Sequence, residues 1–344
     1  MSNSSQSFTL VFAHYRRWDD DEWEVIEPQH LDFWINEAPL LSKRTFEHDG
    51  CLITIEVNWE PIAKRYRRDF DLMKAVREAQ TKNDDWFSKV RQKVHITAIA
   101  SMKNKNGLSN YQWYPTFFLE LYLYEFFLMA NLALPGVVHF YNMTIEGTNE
   151  SSTTKLSSYE FDYWMVESIR GRWPTFQRIP FKKVIHWYLY LQIGVKQKAD
   201  TGTERAIFAV HHLAKMDPAI SSLIWLFHGL EALFSTRIGE NQAGLARRIS
   251  TFFELDEKKK SYLKKRIKEL YDLRSSFVHG TYGVWHPIQS EPIDKRLDAD
   301  YDRINSATMF GFALLIATLQ RMIDEDILEL SYEEKFIGRK IPKI

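Results

Sequence analysis

One cysteine, Cys51, stands in a chain of 344 residues. A lone thiol closes no disulfide within the chain and is a poor start for a zinc site, so the composition points to a reducing, cytoplasmic setting. Net charge is equally scarce: 45 Lys and Arg against 45 Asp and Glu leave a formal charge of zero. No whole-molecule field draws such a protein toward nucleic acid, and any contact of that kind must use a local patch. The opening Met1 to Ser7 is polar and has no basic flank, and the apolar run behind it is short and alternating, so no signal peptide is expected. A glycine-rich phosphate loop, a Gly-x-Ser-x-Gly elbow, an internal repeat and a cluster of metal ligands are also missing, and neither metal nor cofactor is expected.

An unbroken membrane-length span is absent too. The most apolar stretch, Pro115 to Phe140, carries Glu120, Glu125 and Asn131 and is broken at Pro135-Gly136. Two carboxylates in a bilayer are costly, so this stretch reads as a buried core helix and no membrane partner is expected. What the chain has in quantity is core material. Hydrophobic residues at 45% and aromatics at 15% exclude global disorder, and the length suits two domains of ordinary size.

The fold class reads as α+β, a mixed α/β region over 1–178 followed by an all-helical region over 179–344. Ser7 to Tyr15, Cys51 to Trp59, His139 to Ile145 and Ser158 to Arg170 have the near alternation of strands. Asp69 to Gln80 and Asp85 to Val94 read as helices, and Lys103 to Asn110 as a loop. The Trp residues of this half, Trp18, Trp23, Trp34, Trp59, Trp86 and Trp113, are core or line a ligand pocket. Beyond Pro180 only helical periods remain. They fall at Phe181–Ile193, Glu204–Lys215, Asp217 to about Phe234, Ala243–Phe253, Asp256 to about His279, and Ala299 to about Asp324, with a long loop over Thr281 to Asp298.

Polar exceptions on these helices carry the chemistry. Ile220, Leu223, Ile224, Phe227, Leu230 and Phe234 form one apolar stripe, and Glu231 lies inside it. A carboxylate in a core is costly unless paired, so either the helix is rotated and Glu231 meets water, or it has a cationic partner. Arg248 and Arg274, each at the edge of a neighbouring stripe, are the candidates. Arg274 and His279 are separated by about 140° around an ideal helix, so they do not share a face. Gly280 reads as the residue past the helix end, which places His279 at the C-terminus, where the helix dipole favours an imidazolium. Such a His suits proton transfer near neutral pH, and it equally suits a purely structural helix end.

The blocks Trp225-Leu-Phe-His-Gly-Leu-Glu231-Ala-Leu-Phe234, Gly244-Leu-Ala-Arg-Arg248 and Leu270-Tyr-Asp-Leu-Arg274-Ser-Ser-Phe-Val-His279-Gly280 resemble the HEPN superfamily, in particular its Apea-like branch. The resemblance covers about residues 180 to 325. It implies a helical bundle that often dimerises, so that the Arg and His of two copies meet in one cleft and cut RNA without a metal. On that basis Arg274 and His279 match the Arg-x4–6-His motif, and Glu231 matches an acidic position near the Arg. One position departs: Ser275 follows the Arg where active members often have Asn, Asp or His. The setting implied is bacterial defence or a toxin-like system, with RNA as substrate and a regulator or ligand at the first domain. Some members are non-catalytic interaction modules, which is the alternative here.

The chemistry agrees with this. Cleavage of RNA by its own 2′-OH needs proton transfer, which His279 would supply, and charge stabilisation at the phosphoryl oxygens, which Arg274 would supply by a bidentate fork. Lys264, Lys265 and Lys268, in a longer basic run, track a phosphate backbone or form a solvated helix face. His211-His212 lacks further ligands at helical spacing, His228 reads as a half-buried packing residue, and His286 lies in the loop after the motif.

Overall fold

In the computed structural model, which describes residues 2–12, 23–78, 93–104, 113–138, 140, 142–147, 152–155, 172–215, 219–236 and 242–333, the apolar alternation of the first half becomes one antiparallel sheet. Its strands are β1 (Ser2–Phe12), β2 (Lys43–His48), β3 (Cys51–Val57), β4 (Val94–Asn104), β5 (Asn142–Glu146) and β6 (Ser152–Lys155), in the order β2-β3-β4-β1-β5-β6. Successive side chains of a strand point to opposite faces, so the register decides which residues are inside. Phe8 opposes Ala98 and Ile55 opposes Ala100, all four buried, while Thr54, Glu56 and Thr97 point the other way. Asp49 and Gly50 join β2 to β3 with positive φ at both residues, the conformation a two-residue hairpin turn demands.

The inner face is covered by α3 (Tyr114–Ala133), with α1 (Trp23–Asp32) and α2 (Glu60–Glu78) beside it. Trp59 and Phe126 stack with centroids 4.2 Å apart, and Phe46 packs on Phe118 at 5.2 Å. The opposite side of α3 meets the helices of the second half. These are α4 (Phe181–Tyr190), α5 (Gly202–Ala214), α6 (Ser222–Leu233), α7 (Gln242–Phe252), α8 (Glu257–Val278) and α9 (Arg296–Asp324). The chain therefore has an N-terminal α/β region and a C-terminal helical region. One buried cluster runs through both.

Hydrogen bonds fix the seam between the halves. The Gln320 amide of α9 donates to Leu132 O and to Gln177 O, both at 2.8 Å. The Glu37 carboxylate accepts from the Phe181 N–H at 2.7 Å, placing negative charge at the N-terminus of α4, and also pairs with Arg178. Within the helical half, Thr201 and Glu204 form a capping box that starts α5 two residues earlier than its apolar period. Gly202 is required there, since a Cβ would sit 2.4 Å from Ala232 O.

Several elements differ from the sequence reading. α2 begins at Glu60 rather than Asp69, because β3 ends at Val57 and Asn58 Oδ1 caps the Glu60 N–H. β1 extends back through Ser2 to Gln6, polar residues held by a full-length ladder with β4. β2 and α1 were not expected, and β4 covers Lys103 and Asn104, which read as loop. The strand expected over Ser158–Arg170 and nearly all of the helix expected over Asp85–Val94 lie outside the described residues, as do Trp18, Trp86 and Asp217-Pro218. Trp34 and Trp59 are core residues, whereas Trp113 is 57% exposed.

α3 is long and apolar enough to cross a membrane by composition, as is α9, but 72% and 83% of their apolar windows are buried inside the protein. Burial makes Glu125 on α3 a problem that the fold answers with Arg44 of β2. Their charged atoms lie 2.5 Å apart, and the Tyr188 hydroxyl of α4 donates to the same carboxylate at 3.3 Å. Burial still pushes the Glu125 carboxyl up to about 7, against the opposing pull of Arg44 and Tyr188. A carboxyl whose folded pKa is raised favours folding below its unfolded value, and that contribution is lost as pH rises through about 7. The loss is on the order of 3 kcal/mol. Melting curves between pH 5 and 8 are expected to show wild type losing stability across this window relative to Glu125→Gln, whose profile is flatter though lower overall. Parallel profiles would contradict the assignment.

Candidate functional site

The two arginines proposed from sequence as partners of Glu231 have different surroundings. The apolar face of α6 is Leu223, Leu226, Phe227, Leu230 and Leu233, so the helix is rotated from the stripe read in sequence and Ile224 is 40% exposed. Glu231 is left half-buried at the border. Arg248 of α7 lies at the end of this helix. Its guanidinium donates to Phe234 O at 2.6 Å and to Ser235 O, satisfying carbonyls at the C-terminus of α6, and lies over the Tyr332 ring. Arg248 is therefore a helix cap, not the counterion of Glu231.

Arg274 is held another way. The buried face of α8 is Leu263, Ile267, Leu270 and Leu273, and Phe277, one turn further on, is half-buried. Arg274 follows Leu273 at its edge, half-buried, with its guanidinium carbon 5.9 Å from the centre of the Phe227 ring. No hydrogen bond or ion pair engages it among the described residues, and its Nε is buried without an acceptor. A guanidinium has five donors, and a buried donor without a partner is costly. Burial pushes the Glu231 carboxyl up, opposed by the charges of Arg274 and then His228. Glu231 is thus a charge neighbour of Arg274 without a contact pair.

His279 caps α8, as the sequence reading expected. Gly280 has φ +72 and donates to Phe277 O, while the Thr281 N–H reaches Ser276 O, the paired bonds of a Schellman end. His279 and Gly280 are exposed, and α8 stays helical through Val278, so Arg274 and His279 diverge within one chain. Ser275 is half-buried, and its Oγ makes no hydrogen bond among the described residues. The three lysines are exposed, but Lys265 and Lys268 have Glu269 and Asp272 as partners, at 4.0 and 3.1 Å. Only Lys264 of the three has no carboxylate partner among the described residues.

His228 is exposed, not half-buried, and joins the Arg274 neighbourhood through Glu231. Its i−3 spacing from Glu231 was visible in the sequence. Beside it the ring of Trp225 is stacked on His212 of α5, with centroids 3.8 Å apart and planes at 6°. His286 accepts the Ile288 N–H at Nδ1 in the loop before α9. Among the described residues no three His, Cys, Asp or Glu are grouped to hold a metal. A cavity of about 900 Å3 lies instead at the sheet edge over Trp34 and Trp59, where Lys43 and Lys64 are already paired with Glu56 and Glu60. No family model, no curated protein and no solved structure matches this chain.

These geometries assign opposite jobs to the two arginines. Arg248→Ala orphans carbonyls at a helix end and is expected to cost about 2 kcal/mol in urea unfolding. Arg274→Ala forfeits no hydrogen bond and should stay within about 1 kcal/mol of wild type. Equal losses would contradict the distinction.

Proposed function

We propose that this chain is a metal-independent endoribonuclease of HEPN type that acts as a cytoplasmic dimer in a bacterial defence or toxin-like system. The carrying observation is Arg274: a half-buried guanidinium held against Phe227 that makes no hydrogen bond or ion pair among the described residues. The two non-bridging oxygens of an incoming phosphodiester form the doubly accepting anion that such a planar fork fits. Arg274 grips the phosphate and stabilises charge on the equatorial oxygens as the 2′-OH attacks. His279 transfers protons, taking one from the 2′-OH or returning one to the departing 5′-oxygen. Because the two diverge on one helix, a second copy supplies the complementary half of the cleft. Glu231 restrains Arg274 electrostatically without occupying its donors, and the N-terminal region senses or restrains.

A second reading, a non-catalytic dimerisation module, is favoured by one observation. Val278, Val284, Ile288 and Ile293 around the end of α8 are 54 to 86% exposed, an apolar surface of the kind a partner covers. The two readings separate in one assay. Incubated with total RNA in EDTA, wild type is expected to cleave, and Arg274→Ala and His279→Ala each to slow cleavage by 10²-fold or more, on the order of a general acid–base or phosphate-binding loss. RNA left equally intact by all three leaves the module.

A further inference from the structure

α6 presents a solvent face between two flanks. On one flank Arg274 lies against Phe227; on the other the Trp225 ring carries the His212 imidazole. His228 stands exposed between them, its ring 6.3 Å from that of Trp225 and edge-on at 89°. A parallel stack at 3.8 Å between a surface His and a half-buried Trp leaves one ring face already covered and one open. His212 is exposed, and its outer face meets no other ring among the described residues. Stacking platforms of this kind take unpaired nucleobases, since every base has a π-face.

We propose that the outer face of His212, backed by Trp225, is a docking platform for an unpaired RNA nucleobase, so that the substrate is single-stranded and crosses the exposed face of α6 from Arg274 to His212. The assignment of RNA as ligand rests on the ribonuclease reading above. A base further along the strand whose phosphate Arg274 grips extends the Trp225–His212 stack by one ring. His228 stands under the connecting backbone. A paired base cannot reach the platform, because its faces are occupied by its own neighbours. Burial, with Lys215 and His228 nearby, holds the His212 imidazole below its usual range, and a neutral ring needs no counterion when a base covers it.

The test uses a 2′-O-methyl RNA tetranucleotide, which the 2′-OH chemistry cannot cleave, and its abasic counterpart, titrated into full-length protein by calorimetry. Wild type is expected to bind the intact strand about tenfold more tightly than the abasic one, the usual worth of one stacked base. His212→Ala and Trp225→Ala should erase that preference while leaving abasic binding unchanged. His212 is a surface residue, so its variant remains informative even where loss of Trp225 disturbs α6. An unchanged preference in the folded His212→Ala variant, or no preference or no binding in wild type, overturns the platform. Arg274→Ala should weaken both strands alike; if it weakens neither while the base preference persists, the phosphate grip fails and the platform stands.

Discussion

α3 sets the constraint on which the fold depends. Fifteen of its 20 residues are buried, Glu125 and Asn131 among them, so it must be covered on nearly every side. The sheet covers one side and the C-terminal helices the other. That requirement joins the two halves through a common core and places the seam near Arg178, where the Glu37 carboxylate accepts from Arg178 and the Phe181 N–H and the Gln320 amide donates to Gln177 O. The Arg44–Glu125–Tyr188 contact is the polar counterpart of this packing, since it links a strand, the central helix and the first helix of the second half. A buried ion pair is weak support for stability, and its observable trace is a dependence on pH rather than added strength.

Against that frame the helical half separates two arginines of similar sequence appearance. Arg248 is spent on the carbonyls that end α6, while Arg274 is packed on an aromatic ring and makes no hydrogen bond or ion pair among the described residues. A half-buried arginine that makes no hydrogen bond or ion pair among the described residues is the candidate proposed for an external anion. The ribonuclease proposal and the nucleobase platform grow from this asymmetry. The motif resemblance proposes Arg274 and His279; the geometry of α6 adds His228, Trp225 and His212.

The elements most readable in the sequence are those with strong local signals. Asp256 and Gly280 bracket α8, and the helix runs between them. The start of α4 at Phe181, the span of α5 and the apolar α9 were placed to within a few residues. What escaped is what tertiary pairing imposes. β1 gains its polar start only because β4 lies alongside, and the rotation of α6 depends on how Leu226 and Leu233 pack, which periodicity alone misassigned to Ile224. The Asp49-Gly50 hairpin was legible, since Asp-Gly between strand-like runs carries a turn preference, but β2 before it is short and charged. For the site, spacing identified Arg274 and the divergence of His279. It did not reveal that Arg248 is a cap, because the carbonyls it serves belong to another helix.

The most direct test of the central claim follows the Arg274 Nη–H resonances in a 15N spectrum, assigned by their loss in Arg274→Lys, while the 2′-O-methyl tetranucleotide is added. Nη–H groups that gain a phosphate acceptor should move downfield in proportion to occupancy and exchange more slowly with water. A resonance that stays in place at a saturating strand concentration would show that the open guanidinium is not where the phosphate binds, and would contradict the account.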